Sequence, residues 1–237
     1  MAVAYNTSVI TDSLVFYVDA ANPKSYPGSG STWFDLIAGR NVTLQNSPTF
    51  SNNSIQFREN VSGSPKIGTA TVDFGILRQS GQTSSWTLEA CFKYLTQTSG
   101  NGNFSLNENV ILGRAGCHGG IYTWSSNTIQ AAIKTASCWT GAITPSYGTL
   151  TVNNSYHAVM TYNNGVVKTY LNGQYISTAT LDYATYGTAG YSTTLFLGGI
   201  NQYVSNIDMY FAKAYNKELS QSEVTKIFNA LRGRYSL

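Results

Sequence analysis

The sequence has few charged residues. Lys and Arg number 14 and Asp and Glu 11, so charge occupies 11% of the 237 positions, whereas about a quarter is usual. The basic residues are dispersed, and their densest group is "RGR" at Arg232–Arg234. Because nucleic-acid binding requires a concentrated basic surface, we expect no nucleic-acid partner. Solubility then depends on Ser, Thr, Asn and 17 tyrosines, a composition common in extracellular and virion β-proteins.

Long apolar runs are absent as well. No segment approaches the roughly 20 residues of a membrane span, so we expect no membrane partner. The opening "MAVAYNTSVITDSL" lacks both the basic region and the continuous apolar region of a secretory signal. We therefore expect synthesis in a cytoplasm without an export signal.

Cysteine and histidine are scarce, with three and two residues respectively. Cys91 lies in an apparent strand and is predicted to be buried, and His157 is predicted to be a structural residue. Cys117 and Cys138 flank a predicted hairpin, so a disulfide is one alternative, but a reducing cytoplasm favours free thiols. With His118 they supply three zinc ligands, one fewer than a structural zinc site needs.

Alternating segments dominate the chain and predict β-strands. They are short, rich in β-branched or aromatic residues, and bounded by Gly, Asn, Ser or Pro, and they lie at 14–20, 54–57, 86–95, 109–114, 121–124, 129–134, 156–162, 193–199 and 207–215. In "WTLEACFKYL" (86–95), one predicted face carries Trp86, Leu88, Ala90, Phe92 and Tyr94. The other carries Thr87, Glu89, Cys91, Lys93 and Leu95.

Two Asn-Gly pairs and one capping box complete the prediction. Asn164-Gly165 and Asn172-Gly173 predict type I′ turns that join 156–162, 166–171 and 174–179 into a meander. Ser220 and Glu223 predict the start of a helix over 221–232, with a stop near Gly233. Its predicted apolar stripe consists of Val224, Ile227, Phe228 and Leu231. The pattern predicts an all-β fold, a two-sheet antiparallel sandwich with one short C-terminal helix.

Several blocks, in order, resemble laminin-G-like domains of the concanavalin A-like lectin/glucanase superfamily. The opening block is "LVFYVDAANPKSYPGSGSTWFDL", followed by "NVTLQNSPTF" and "SIQF"; the central strand is "WTLEACFKY", and the hairpin is "YHAVMTYNNGVVKTYLNGQYIS". "LFLGG" and "YFAKAYNKELSQSEVTKIFNALRGRYSL" resemble the last strands and helix. The resemblance implies a β-jelly-roll over 13–237, preceded by an N-terminal arm at 1–12.

The same resemblance makes residues 22–36 an excursion after the first strand. Its end in Trp33, Phe34 and Leu36 is unlike a flexible linker, which is poor in large apolar groups, and these residues are interpreted as anchors. Asp35 is predicted to cap a turn through backbone N–H groups. The segment is interpreted as a strap within the domain, and a contact loop is the alternative.

A narrower resemblance concerns function. "NPKSYPGSG-T-W-x-D-L" together with the ending "F-N-A-L-R-G-R-Y" resembles forms carried by tailed bacteriophages as virion structural proteins. It implies a structural protein of the virion, made in the host cytoplasm, with the major capsid protein or tail subunits as partners and with homo-oligomers expected. A tail fibre normally needs an adaptor and a long trimeric shaft, for which a sandwich that uses the 237 residues leaves no room, so we expect a non-enzymatic head decoration protein. The alternatives are a tail-fibre or receptor-binding tip that binds host glycans, and a free carbohydrate-binding lectin.

The acidic residues argue against hydrolysis. Glycoside hydrolases need two carboxylates about 5–10 Å apart, and jelly-roll glucanases typically place them on one strand as E-x-D-x-E. Here Glu89 stands alone, with Cys91 and Lys93 at the alternate positions. We expect no enzyme and no catalytic residue.

Aromatic residues in predicted loops are the candidate contacts for a glycan or a protein partner. The candidates are Trp124, Trp139, Tyr147, Tyr183, Tyr186 and Tyr191. The alternative role for these residues is to cover the core or a subunit contact.

No cofactor is expected. Calcium bound by scattered Asp and Asn oxygens is the one alternative, although no EF-hand spacing supports it. The family's "F-D-G-x-x-D-Y" segment is "FRENVSGSPKI" here, without either aspartate, and Tyr156 replaces its usual Trp.

Overall fold

The computed structural model describes residues 10–58, 66–71, 85–97, 109–114, 119–124, 127–132, 146–180, 194–200 and 203–237. Within these ranges the chain forms strands and one helix. In chain order the elements are β1 (Leu14–Asp19), β2 (Thr32–Trp33), β3 (Val42–Gln45), β4 (Thr49–Ser51), β5 (Ser54–Phe57), β6 (Ile67–Thr71), β7 (Ser85–Gln97), β8 (Asn109–Arg114), β9 (Gly120–Trp124), β10 (Thr128–Ala132), β11 (Ser146–Thr149), β12 (Ser155–Asn163), β13 (Val166–Leu171), β14 (Gln174–Thr180), β15 (Thr194–Leu197), β16 (Gly199–Ile200), β17 (Tyr203–Tyr215) and α1 (Gln221–Tyr235). No helix in the described ranges has the length and apolar character that crossing a membrane requires.

The strands form two antiparallel sheets. The first runs β14-β13-β12-β7-β17-β5-β4, with β1 and β16 also paired to β17. The second runs β11-β10-β9-β8-β15-β6-β3-β2. The predicted all-β antiparallel sandwich with one C-terminal helix is confirmed.

The main core lies between the two sheets, and β7 shows how alternation builds it. The predicted apolar face of β7 is buried in this core, with Trp86, Leu88, Ala90, Phe92 and Tyr94 all at most 2% exposed. The opposite face carries Cys91, which is a free, buried thiol as predicted, in a second apolar cluster with Val159 of β12 and Phe211 of β17. The central strand therefore has a core on each of its faces.

Helix α1 covers the second cluster. Its capping box is present as predicted, because the Ser220 side chain accepts from the Glu223 N–H while the Ser220 N–H donates to Glu223. The predicted stop at Gly233 is wrong, since the helix continues to Tyr235 and ends on Ser236 in the left-handed conformation. Tyr235 packs on the ring of Phe211 with centroids 5.4 Å apart, and this tertiary contact extends the last turn.

The predicted apolar stripe of α1 needs one correction. Val224, Ile227 and Leu231 are buried, but Phe228 is only half-buried. The Phe228 ring stacks on the ring of His157, with centroids 6.1 Å apart. Phe228 therefore borders the second cluster instead of filling it.

The meander and the β9–β10 hairpin have the predicted form. The residues of both Asn-Gly turns have positive φ, between 43° and 88°, as type I′ turns demand. In the other hairpin, Thr128 pairs with Trp124 and Ala132 with Gly120. These connections fix the register of neighbouring strands in both sheets.

The segment 22–36 is fastened to the sandwich, as the strap interpretation requires. Trp33 is fully buried in the main core, and the Leu36 N–H donates to the Tyr17 carbonyl oxygen at 2.8 Å. The prediction of Phe34 as a side-chain anchor is wrong, because its side chain is 41% exposed. Phe34 instead contributes its backbone, whose N–H and C=O bond to Ser25 at 2.7 and 2.6 Å.

Candidate functional site

A buried group of ionisable side chains lies under α1, on the outer face of the first sheet. Glu89 of β7 contacts Lys213 of β17 and His157 of β12 through Oε1, at 3.0 and 3.1 Å. Tyr215 donates its hydroxyl to Glu89 Oε2 at 2.8 Å. Three neighbouring strands therefore enclose a carboxylate that the sequence showed as a solitary acid.

The ionic group is sealed from solvent. The side chains of Glu89, Lys213 and His157 are all 0% exposed. Burial alone opposes the ionised form of Glu89, but the Lys213 ammonium and the His157 hydrogen bond outweigh it and lower the pKa of Glu89 to about 2. Glu89 is consequently a permanent anion at neutral pH and is unsuited to deliver a proton as a general acid.

Aromatic rings complete this environment. The Lys213 ammonium lies 4.5 Å from the centroid of the Phe211 ring and 5.1 Å from that of Tyr17, and both distances suit cation–π contact. His157 is the structural residue that the sequence predicted, held between Glu89 and the Phe228 ring. The arrangement stabilises the junction of α1 with the sheet.

Asp19, at the end of β1, joins the strap to the end of α1. One of its oxygens, Oδ1, accepts from the Tyr235 hydroxyl at 3.1 Å, and Oδ2 lies 3.1 Å from the Arg234 guanidinium. The Asp19 N–H donates to Ser25 Oγ at 3.0 Å, and Ser25 in turn bonds to Phe34. Asp19 thus connects the strap, through its backbone N–H, with the end of α1, through its buried carboxylate.

A groove of about 590 Å³ opens where α1 begins, beside the edge strand β14. Its lining includes Lys168 and Tyr170 of β13, Tyr175 of β14, and Glu218 and Gln221 at the start of the helix. Tyr175 is 48% exposed. The sequence did not indicate this site, because its residues come from a hairpin and a helix start whose proximity depends on the tertiary fold.

The predicted aromatic contacts fall largely outside the described residues. Trp139, Tyr183, Tyr186 and Tyr191 lie outside them entirely. Trp124 ends β9 and Tyr147 is in β11, and the description of these two residues covers their backbone only. These six residues therefore remain predictions.

The predicted metal and thiol chemistry also lies mostly outside the described ranges. Cys117, His118 and Cys138 are not among the described residues, so neither the disulfide alternative nor the zinc alternative is tested. Across the residues that are described, His, Cys, Asp and Glu form no group of three or more that could hold a metal ion.

Solved structures share this fold over nearly the whole chain. Trypanosoma rangeli sialidase aligns with a TM-score of 0.64 and 18% identity over 93% of this chain. Botulinum neurotoxin type C, whose entrance into cells depends on interaction with two ganglioside molecules, aligns with a TM-score of 0.64 and 15% identity over 92%. The binding domain of botulinum neurotoxin DC, in complex with rat synaptotagmin II, gives a TM-score of 0.65 and 15% identity over 92%.

These similarities establish the fold, a lectin-like sandwich, and no more. The chain spans 33% of the sialidase and 51% and 52% of the two toxin chains. No curated protein sequence matches the chain significantly. The profile of Laminin_G_3, described as concanavalin A-like lectin/glucanases superfamily, matches residues 67–225, about two-thirds of the sequence. The chain therefore belongs to the concanavalin A-like lectin/glucanases superfamily.

Proposed function

We propose that this protein is a non-enzymatic structural component of a tailed-phage virion, which decorates the head with a lectin-like domain. The observation that carries the proposal is that the two sequence blocks that resemble phage virion proteins both contact one residue, Asp19. The strap block and the "F-N-A-L-R-G-R-Y" block meet at Asp19, through Ser25 on one side and Arg234 and Tyr235 on the other.

Asp19 is thus shared by the two blocks. Tyr235, in the "F-N-A-L-R-G-R-Y" block, is only 3% exposed. Its burial, and to a smaller extent the negative charge of Asp19, raise the pKa of its hydroxyl. A buried hydroxyl needs a hydrogen-bond acceptor, and here Asp19 supplies it. Both blocks are therefore anchored on the same residue, Asp19, and this common anchor supports the proposal more than two unconnected matches would.

The absence of enzymatic activity is part of the proposal, and the environment of Glu89 supports it. A carboxylate on the central strand is where jelly-roll glucanases place their catalytic pair, and Glu89 is the acid found there. It lies under α1, where Lys213, His157 and Tyr215 already occupy its oxygens. A polysaccharide would have to displace the helix to reach it.

Locating the protein on particles tests the proposal. Gold-labelled antibody against the chain, viewed by electron microscopy on intact particles of the phage that encodes it, is expected to mark the head surface at many positions. Label confined to the tail tip would replace head decoration with receptor binding. Particles without label, despite abundant protein in the lysate, would contradict a virion role and favour a free lectin.

A second candidate function is a receptor-binding tip that recognises host glycans. The specific observation in its favour is the shared fold with botulinum neurotoxin type C, a protein that interacts with gangliosides. In either role we expect homo-oligomers and contacts with other virion proteins, with the arm at 1–12 as the proposed attachment. Binding of labelled protein to host cells, abolished by soluble host polysaccharide, would favour the second candidate.

A further inference from the structure

We infer that the groove between β13, β14 and the start of α1 is a saccharide-binding site for a neutral hexopyranose. The inference rests on the lectin-like part of the proposed function, and it assigns the binding to residues other than the aromatic loop residues predicted above. Its anchor is Tyr175, and its polar rim is formed by Lys168, Glu218 and Gln221.

A β-bulge creates the lining of the groove. In the β13–β14 pair, Tyr170 faces Tyr175 and Thr169 faces Ser177, so Ile176 has no partner residue. Simple alternation would place Tyr175 and Thr178 on opposite faces of β14. The extra residue brings both of them into the same groove, a known effect of bulges, which redirect side chains.

Tyr175 has the properties of a sugar platform. It is 48% exposed, yet its ring is held by Tyr170, with centroids 5.8 Å apart and an interplanar angle of 69°. In this edge-to-face arrangement the buried Tyr170 positions the exposed ring without covering both of its faces. The C–H groups on one side of a pyranose carry partial positive charge and pack on the electron-rich face of an aromatic ring.

The polar groups around Tyr175 match sugar hydroxyls. Lys168 Nζ donates to Glu218 Oε1 at 2.8 Å, and Asn163 donates to Glu218 Oε2 at 2.7 Å. Gln221 uses its amide nitrogen on Gly173 O and Thr225 Oγ1, both at 2.8 Å, which leaves its carbonyl oxygen available as an acceptor. The rim thus offers ammonium donors together with carboxylate and amide acceptors.

The charge balance selects a neutral ligand. Lys168 and Glu218 form one ion pair with opposite charges, so the groove carries no net charge from these two side chains. An acidic sugar would have to compete with Glu218 for Lys168, whereas a hydroxyl can bond to both partners without breaking the pair. The volume of about 590 Å³ is within the range of roughly 300–1,000 Å³ that is usual for small-ligand sites.

Titration of the purified chain with simple sugars tests the inference. The probes are the methyl glycosides of glucose, galactose, mannose and N-acetylglucosamine, one at a time at millimolar concentration, with N-acetylneuraminic acid as the charged comparator. The readout is the amide NMR spectrum of the nitrogen-15-labelled protein. We expect at least one neutral glycoside to give saturable shifts at Tyr175, Ser220 and Gln221.

Matched variants separate the groove from the rest of the surface. Tyr175→Ala is expected to lower the affinity for the responding glycoside about tenfold, equivalent to about 1.4 kcal/mol. Tyr175→Phe keeps the aromatic ring and is expected to keep most of the affinity. Ile176→Ala is the control, because Ile176 is 40% exposed on the same strand but does not line the groove. It is expected to bind like the unchanged protein, and melting curves confirm that all three variants are folded.

The outcomes distinguish the site from the function. No saturable shift with any neutral glycoside, or equal weakening by Tyr175→Ala and Ile176→Ala, overturns the inference. Shifts confined to β9 and β11 also overturn it but leave a lectin-like role in place. If the amide shifts at Tyr175, Ser220 and Gln221 show that N-acetylneuraminic acid binds more tightly than every neutral glycoside, the choice of a neutral ligand is overturned. The position of the protein on particles is independent of all these results.

Discussion

At the scale of single residues, Asp35 shows how one side chain holds the strap. One of its oxygens, Oδ1, accepts from the N–H groups of Tyr17 and Ile37 at 2.9 and 3.1 Å, and Oδ2 accepts from those of Ala38 and Arg40, both at 3.0 Å. Asp35→Asn replaces one accepting oxygen by a donor. We expect the free energy of unfolding in urea to fall by about 2–4 kcal/mol, because unpaired N–H groups cost about 1–3 kcal/mol each.

Asp12→Asn is the matched control for this measurement. The Asp12 carboxylate is 77% exposed and contacts Lys217 at 2.7 Å, so water can replace its partner. We expect no measurable change in unfolding free energy. Equal effects of the two substitutions would contradict the role assigned to Asp35.

The Glu89 carboxylate predicts a defined response to acid. Its pKa in the folded protein is about 2, below the ordinary value of 4.5. The ionised form therefore stabilises the folded state above pH 4.5, and this contribution is lost as the pH falls from 4.5 towards 2. Urea unfolding at several pH values is expected to show this loss, and Glu89→Gln is expected to reduce the slope in this window.

At neutral pH the same substitution should be costly. Glu89→Gln leaves the Lys213 ammonium buried without a counter-charge, and breaking a buried pair costs about 3–5 kcal/mol. Glu218→Gln removes a carboxylate from the partly exposed pair with Lys168 and is expected to cost less than about 1 kcal/mol. An unchanged stability of Glu89→Gln would mean that Lys213 finds another partner.

The sequence predicted only part of this site. Alternation correctly placed Glu89 on the face of β7 opposite Leu88. Its partners His157 and Lys213 lie on β12 and β17, 68 and 124 positions further along the chain. Their contact depends on sheet order and register, which local patterns do not determine, so an acid that is solitary in the sequence is paired in the fold.

At the scale of elements, the turn between β13 and β14 sets how closely α1 approaches the sheet. Gly173 has φ +77°, and a Cβ built there lies 2.8 Å from Phe228 of the helix. Gly173→Ala is expected to lower the melting temperature more than Gly39→Ala, since Gly39 has φ +71° but no atom within 4 Å of its Cβ position. Both variants have left-handed backbone strain of about 1–2 kcal/mol, and only Gly173→Ala adds a steric clash.

The substitution Phe228→Ala tests why Gly173→Ala is expected to be more destabilising than Gly39→Ala. If the clash with Phe228 is responsible, Gly173→Ala should cost less in the Phe228→Ala background than in the unchanged protein. Equal costs in both backgrounds would assign the whole effect to the backbone of the turn.

The elements also show which local signals were reliable. Asn164-Gly165 and the Ser220–Glu223 capping box act within a few residues, so the turn and the start of α1 were predicted correctly. The end of α1 was not, because Tyr235 is held by Asp19 and Phe211 across the sheet. The β-bulge at Ile176 was not predicted either, because no local signal in "QYISTAT" marks the extra residue.

At the scale of the whole molecule, the proposal of a non-enzymatic protein makes a direct prediction. Incubation with β-glucan, agarose or bacterial polysaccharide is expected to release no reducing ends, because Glu89 is enclosed and already paired with Lys213. A reducing-sugar assay checks this, with Glu89→Gln as the matched sample. Release by the unchanged protein that disappears in Glu89→Gln, with circular dichroism showing that the variant is still folded, would show that the carboxylate is catalytic.

The position of β17 in the first sheet has a consequence for biosynthesis. This strand pairs with β1, β5, β7 and β16, yet it is the last of the described strands to leave the ribosome. Until residues 203–215 have been translated, β7 and β5 have no strand to join them, and Glu89 has no ammonium partner. A chain interrupted earlier cannot close the first sheet, so formation of this sheet has to wait until translation has passed Tyr215.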